Sequence, residues 1–555
     1  MDIYVATTGN DTTGDGTIGN PYLTPTKAEA MASNGDTVHI GAGTFEAATY
    51  FTFAKEIEWY GAGVGVTLLR GNNASRVVYL NSTNVKNFYD LTIDGLSSGT
   101  VPAYLIEGSG VDQATVFSGC GLTNGRTTVL RLNSNMNGVT LDACAIDCAV
   151  TSLTTVVNFV GGNNEVTINN CTITIPTGLT MSAVFYQAGL ITGGVITITN
   201  NNVTLLSNYA PIRLIGGGVA DPVIEGNTFT VGTNNTRAII ELLNIENTCR
   251  VVNNTINIPG VSTATIPIQC RSTVTTGPDC VYTIEDNLIE THNADNYGIL
   301  LGDEGGDILC KANAFNGSSV RRNTLRFAPY FGLPIGNAHG IMMGGQRNIF
   351  YEDNVLYGAA YCAACKGHGE AWTDGYIYNN IFINCTYSVR MKGQSSIRCM
   401  NNVIINESGQ VGTSLSVTEN GVGEDSDNAF LRNNLCIRDA DKVYEFLDTS
   451  YDTLDADYLG VYLTGTATIG NEFPAVNYDT LEEWQVATGH DLNGISGNPN
   501  IKADYTIDAS SPFFQKGIPV EGITPVNSTN EGSLITFSGN AAFSLDSPYK
   551  NRVPA

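Results

Sequence analysis

Residues 365–393, CKGHGEAWTDGYIYNNIFINCTYSVRMKG, gather Lys366, His368, Arg390 and Lys392 in a chain otherwise poor in positive charge. Alternation along YSVRMKG turns Val389 and Met391 inward, so Arg390 and Lys392 point outward together. Lys366 lies about one short repeat earlier. Such a set suits β-elimination on a uronate polymer. A cation neutralises the sugar carboxylate, a base takes the C5 proton, and a donor protonates the leaving oxygen. A lysine whose pKa is depressed by neighbouring cations can be that base. Lys366 and Arg390 are therefore the candidate catalytic pair. The same patch could equally bind a glycan without cutting it, or be ordinary solvated surface.

Further candidates surround this stretch. Arg321, Arg322, Arg326, Arg347 and Arg398 add to the local positive charge. Trp372 and Tyr376 belong to a run rich in aromatics, which can stack on sugar rings or simply pack the scaffold. His339, in NAHGIMMGG, can face the same groove. Lys392, His368, Trp372, Tyr376, His339 and Arg347 form the candidate substrate-binding set. Asp303, Glu304 and Asp307 in LGDEGGD are the one acidic cluster that suggests a cofactor, calcium; a polar glycine-rich turn is the plainer reading. His39 reads as structural, and GEDSDN (Glu424, Asp425, Asp427) as a solvated loop. Cys362 and Cys365 form a C-x-x-C, but no second one follows at zinc-site spacing.

These residues must be positioned by a repeat. An asparagine, often doubled, recurs before alternating apolar residues: NNCTI at 169, NNVTL at 201, NNTINI at 253, NNIFI at 379, NNVII at 401 and NNLCI at 433. DLTIDG at 90 and LDACAI at 141 are more divergent copies. Each copy reads as a short strand flanked by turn residues. Strands this short bury a face only by stacking in parallel on the next copy. The asparagines are expected to stack inside the turn, each amide bonding to the next coil. The fold class is all-β: one right-handed parallel β-helix of about 13–15 coils, the variable spacing coming from loops that leave a turn. A β-sandwich or propeller is disfavoured because Asn-Gly hairpin turns do not recur. Thr24 and Pro25 open a short helix that covers the N-terminal end, and GDTVHI is read as the first strand. A second helix near residue 482 has a capping box, read as Asp479 with Glu482. The expected divisions are a cap and first coil in 1–50, the β-helix in 51–440, a C-terminal coil and cap in 441–528, and a tail in 529–555.

The 555 residues carry 27 basic and 53 acidic side chains, a net charge of -26. That surface repels nucleic acid and anionic membrane, and acidic glycans too except where cations concentrate. Charged residues are only 14% of the chain, replaced by Asn, Thr, Gly and Ser that suit strands and turns. No apolar run reaches the ~20 residues of a membrane helix. The polar MDIYVATTGND is not a signal peptide. Thirteen cysteines, an odd number, leave at least one thiol without a partner in the chain, and their setting in strand-like runs does not suggest a disulfide framework.

The opening segment TTGNDTTGDGTIGNPYLTPTKAEAMASNGDTVHIGAGTFEA resembles the N-terminal module of pectate-lyase-like β-helix proteins. The stretch YDTLEEWQVATGHDLNGISGNPNIKADYTIDASSPFFQKG is similar to the terminal segment of that superfamily. The resemblance covers most of the chain and implies the fold, while the superfamily's functions range from lyases and hydrolases to phage tailspikes and inert proteins. Lys366 with Arg390 about one coil on resembles the alginate lyase and chondroitinase B family, where the lysine is the base and the arginine the acid. That family carries acidic calcium ligands just before the lysine, and LYGAAYCAAC has none; Glu352, Asp353 and Asp374 are the nearby acids. Gly367-His368-Gly369 and Arg390-Met391-Lys392 are similar to polygalacturonase motifs. The carboxylates of that family are missing from GGQRN, so inverting hydrolysis by that route does not follow.

The leading expectation is a glycan-recognising β-helix of tailspike or tail-fibre type, binding a host-surface polysaccharide and located on a virion or outside the cell. Depolymerase activity is left open. Resemblance to tailspikes implies a homotrimer. An exported polysaccharide lyase and a non-catalytic structural or adhesive protein are the alternatives.

Overall fold

In the computed structural model the chain divides into two units, 1–262 and 263–555. The structure describes their strands, corners and two α-helices. Outside the described residues lie several connections, chiefly 96–101, 148–154, 189–194, 233–237, 272–279, 303–314, 367–374, 393–396 and 419–427, together with 501–509 and 514–555. Each unit is a right-handed parallel β-helix, as its repeats predict. A coil visits three sheets in turn, called here the first, second and third. In the second unit one such coil is Phe350–Glu352, Val355–Tyr357 and Tyr361–Lys366.

Like residues stack on like across coils, because parallel strands are in register and side chains alternate between core and solvent. Ile173 pairs with Val203, Val203 with Phe229, and Phe229 with Ile256, all fully buried. The repeat marker is the corner between first and second sheets. An asparagine opening this corner turns the chain with a positive φ: Asn170, Asn200 and Asn253 in the first unit, Asn379, Asn401 and Asn433 in the second, each at 54–57°. Asn is among the few L-residues that adopt this conformation routinely. Arg322 does so at 55°, and its guanidinium is held by Asp286 at 3.0 Å and Glu285 at 2.6 Å.

The residue that follows the positive-φ position points inward and builds a ladder. In the second unit Asn323, Asn354, Asn380, Asn402 and Asn434 lie on successive coils. The Asn354 Nδ2 donates to Asn380 Oδ1 at 3.0 Å and to the Val320 carbonyl at 2.8 Å, while its Oδ1 accepts from both nitrogens of Asn323. Asn201, Asn227 and Asn254 repeat the arrangement in the first unit. These amides are fully buried and fully used, which is the condition for a polar group to sit in a core. Earlier in the first unit the same position holds Cys120, Cys144 and Cys171. Each thiol donates to a carbonyl of the preceding coil, as the asparagine amides do.

The ends follow the sequence with two corrections. Thr24 caps the helix Pro25–Met31 by accepting from the Lys27 amide, and the helix packs on Asp2–Val5 and Phe51–Phe53. Asp2–Val5 is the first strand, paired with Asp36–Ile40, so GDTVHI is the second. The helix Leu481–Thr488 is capped by Thr480 with Glu483, one residue beyond the expected pair, because the Thr480 hydroxyl reaches the Glu483 amide and the Glu483 carboxylate reaches back. Its Trp484 is buried on Phe446 and Tyr444.

Among the described residues one disulfide, Cys362–Cys385, accompanies nine buried free thiols. The C-x-x-C is thus split: Cys362 is bonded elsewhere, and burial pushes the Cys365 thiol up to about 12. Among the described residues no group of three or more His, Cys, Asp or Glu could hold a metal.

Candidate functional site

The third sheet of the second unit carries the candidate site on Tyr297–Leu301, His339–Gly344, Tyr361–Lys366, Tyr387–Lys392, Thr413–Thr418 and Lys442–Phe446. Register places Tyr297, His339, Tyr361 and Tyr387 side by side on successive coils. Their rings form a column with centroids 4.8, 4.5 and 5.0 Å apart. The strand spacing imposes that distance, which is also favourable for aromatic stacking. Both faces of Tyr361 are covered, by His339 and Tyr387, so a sugar would meet ring edges there and not an open face.

Arg390 lies beside this column, its guanidinium 5.0 Å from the Tyr361 centroid and 5.5 Å from that of Tyr387. Cation–π contact at both rings holds a charge that has no ion pair among the described residues. Its Nε is buried and has no hydrogen-bond partner among them. Many other described arginines are paired with a carboxylate, among them Arg70 with Asp94, Arg213 with Glu241 and Arg326 with Glu290. An uncommitted guanidinium is unusual where acids outnumber bases two to one. Beyond Arg390 in register come Ser416 and then Glu445. The Ser416 hydroxyl donates to Glu445 at 3.2 Å, and Lys442 lies 3.6 Å from the same carboxylate. Burial, with Glu445 adding to it and Arg390 opposing, pushes the Tyr387 phenol above its usual value. Tyr387 therefore keeps its proton at neutral pH.

The alternation read from YSVRMKG is present: Val389 and Met391 are buried and Arg390 is half-exposed. Lys366 is in register with Lys392, and Arg390 with Ala364. The candidate catalytic pair is thus diagonal, with Cα atoms roughly 8 Å apart from strand spacing and rise. The side chains of Lys366 and Lys392 lie outside the described residues. So do His368, Trp372 and Arg347, and the whole acidic cluster Asp303, Glu304 and Asp307. His339 joins the column. Tyr376 does not: it lies on the first sheet, stacked on Phe350 at 5.0 Å with Arg398 over its ring. The sequence reading missed Tyr297, Ser416, Lys442 and Glu445. Loops of unequal length separate them, so nothing short of coil register aligns them.

No family model matches the chain, and no curated protein does. Solved structures to which it is similar include the catalytic unit of an α-1,3-glucanase from Streptomyces thermodiastaticus, at 10% identity and a TM-score of 0.39, covering 81% of this chain and 68% of that one. Tailspike protein 3 of bacteriophage CBA120 aligns at 11% identity and 0.34, covering 85% and 62%. Pectate lyase Pel9A aligns at 12% identity and 0.22, covering 96% of each. Likeness at this level does not extend beyond the fold.

Proposed function

We propose that this chain is a glycan-recognising β-helix protein of tailspike or tail-fibre type, which binds a host-surface polysaccharide bearing acidic groups along the third sheet of its second unit. One observation carries the reading: Arg390, fixed over two tyrosines and free of any acid among the described residues. A guanidinium so held takes a carboxylate or sulfate with little loss of side-chain freedom. The phenol edges of Tyr361 and Tyr387 supply hydrogen bonds to sugar hydroxyls. The reading includes a location on a virion or outside the cell and assembly as a homotrimer. Affinity electrophoresis in gels containing alginate, pectate, chondroitin sulfate or neutral dextran tests the reading. Retardation by an acidic polymer, lost in Arg390→Ala, supports it; equal mobility in every gel overturns it.

A second reading adds chemistry to the same face. Lys366 is the base at C5, Arg390 neutralises the carboxylate, and Tyr387 protonates the leaving oxygen, a proton that its raised pKa keeps in place. Absorbance near 235 nm reports the unsaturated product. A signal abolished in Lys366→Ala makes the protein a lyase. Binding without absorbance leaves recognition alone.

A further inference from the structure

Arg438 closes the second-sheet strand Leu435–Arg438 and points inward, with none of its surface exposed. A buried guanidinium ordinarily sits against a carboxylate, because an uncompensated charge in a core is costly. Arg438 has no ion pair among the described residues. Its Nε donates to the Ala440 carbonyl at 3.2 Å and its Nη1 to the Ser414 hydroxyl at 3.3 Å, both neutral acceptors. Its Nη2 is buried with no partner. Burial lowers this guanidinium to about 10, which still leaves it charged at neutral pH. Asp441, the acid whose charge it senses, is not within ion-pairing distance.

The neighbouring coils add polar groups at the same corner. Ser388 stacks on Ser414 in register, is fully buried, and its hydroxyl has no partner. Asn406 lies one coil before Arg438, donates to the Cys385 carbonyl at 2.7 Å, and leaves Oδ1 without a partner. The Ser388 hydroxyl and an N–H of the cation are thus both buried without a partner, and Ser414, in register with Ser388, is bonded to the other terminal nitrogen of the cation.

We infer that Arg438, with Ser414 and Ser388, forms an internal binding site for a small monovalent anion of the halide class. The ion supplies the negative charge that the core lacks. It accepts from Nη2 and from a serine hydroxyl, and it ties together three coils, one of which carries Arg390 on its outer face. The site is independent of glycan binding.

Thermal unfolding of the full chain tests this at constant ionic strength, with sodium chloride replaced stepwise by sodium gluconate, whose anion is too large for a packed core. Chloride in excess over its dissociation constant is expected to raise the midpoint by about 2–4 °C relative to gluconate. Arg438→Met is expected to remove the difference between the two salts. Because that variant replaces a buried group and can fail to fold, bromide-soaked crystals of the unaltered protein supply a second measurement. An anomalous peak within hydrogen-bonding distance of Nη2 supports the site. Equal midpoints in the two salts, or density at Nη2 with no anomalous signal, overturn it: Nη2 then bonds a water shared with Asn406.

Discussion

Replacing Asn380 by alanine removes one rung from the middle of the asparagine ladder. The side chain accepts from the backbone amide of Asn354 at 2.9 Å and from its Nδ2 at 3.0 Å. It donates to Asn402 Oδ1 at 3.0 Å and to the carbonyls of Tyr351 and Tyr378 at 3.1 and 3.0 Å. Alanine leaves the buried Asn354 amide without an acceptor, which costs about 1–3 kcal/mol, and each further lost bond costs about 0.5–1.5 kcal/mol. The Asn354 Nδ2 keeps Val320, and Asn402 Oδ1 keeps the amide of residue 380. With four such further bonds lost, the sum is about 3–9 kcal/mol. Urea unfolding followed by far-ultraviolet circular dichroism measures it. Asn354→Ala together with Asn380→Ala is expected to fall short of the two single losses by about 1 kcal/mol, because the bond between their side chains is removed in either single variant. A single loss below about 1 kcal/mol, or strict additivity, would refute the view that the ladder is a coupled network.

Arg390→Lys is expected to retain part of the affinity for an acidic polymer and Arg390→Ala to lose about tenfold or more, with the salt dependence of binding flattened in the alanine variant. Asp491 is buried and accepts from Tyr444 at 3.0 Å and Trp484 at 3.1 Å; burial raises its carboxyl from 3.8 to about 6. Its charged form is therefore the one the fold disfavours, so stability is fully present below the unfolded value and is lost as pH rises toward about 6, by about 3 kcal/mol at most. Asp491→Asn should flatten that slope in unfolding midpoints between pH 4 and 7. Cys362→Ser should lower stability by about 3 kcal/mol, since the disulfide closes a loop of sequence separation 23; a midpoint unchanged by reductant in the unaltered protein would count against the bond.

Much of the fold was legible because a β-helix repeats its local signals. The doubled asparagine marked both the positive-φ corner and the inward rung, since both needs are met by one residue type. Thr24 and Pro25 announced the first helix for the same local reason. The second cap was misplaced by one residue because Asp479 and Thr480 both suit an N-cap, and only the reach of Glu483 distinguishes them. Asp2–Val5 escaped notice as a strand because a first strand has no preceding repeat to match.

Residue types alone established the parallel β-helix, the asparagine ladder, and the outward direction of Arg390 with Val389 and Met391 turned inward. Those features depend on periods of two along a strand and one per coil, which a chain displays locally. The tertiary structure alone decided which coils stand in register. It set Lys366 beside Lys392 and not beneath Arg390, and carried Tyr376 to another sheet. It stacked Tyr297, His339, Tyr361 and Tyr387 into one column. It also buried Arg438 without a counter-charge. Register depends on loop lengths and on the pairing of distant strands, and no local pattern encodes either.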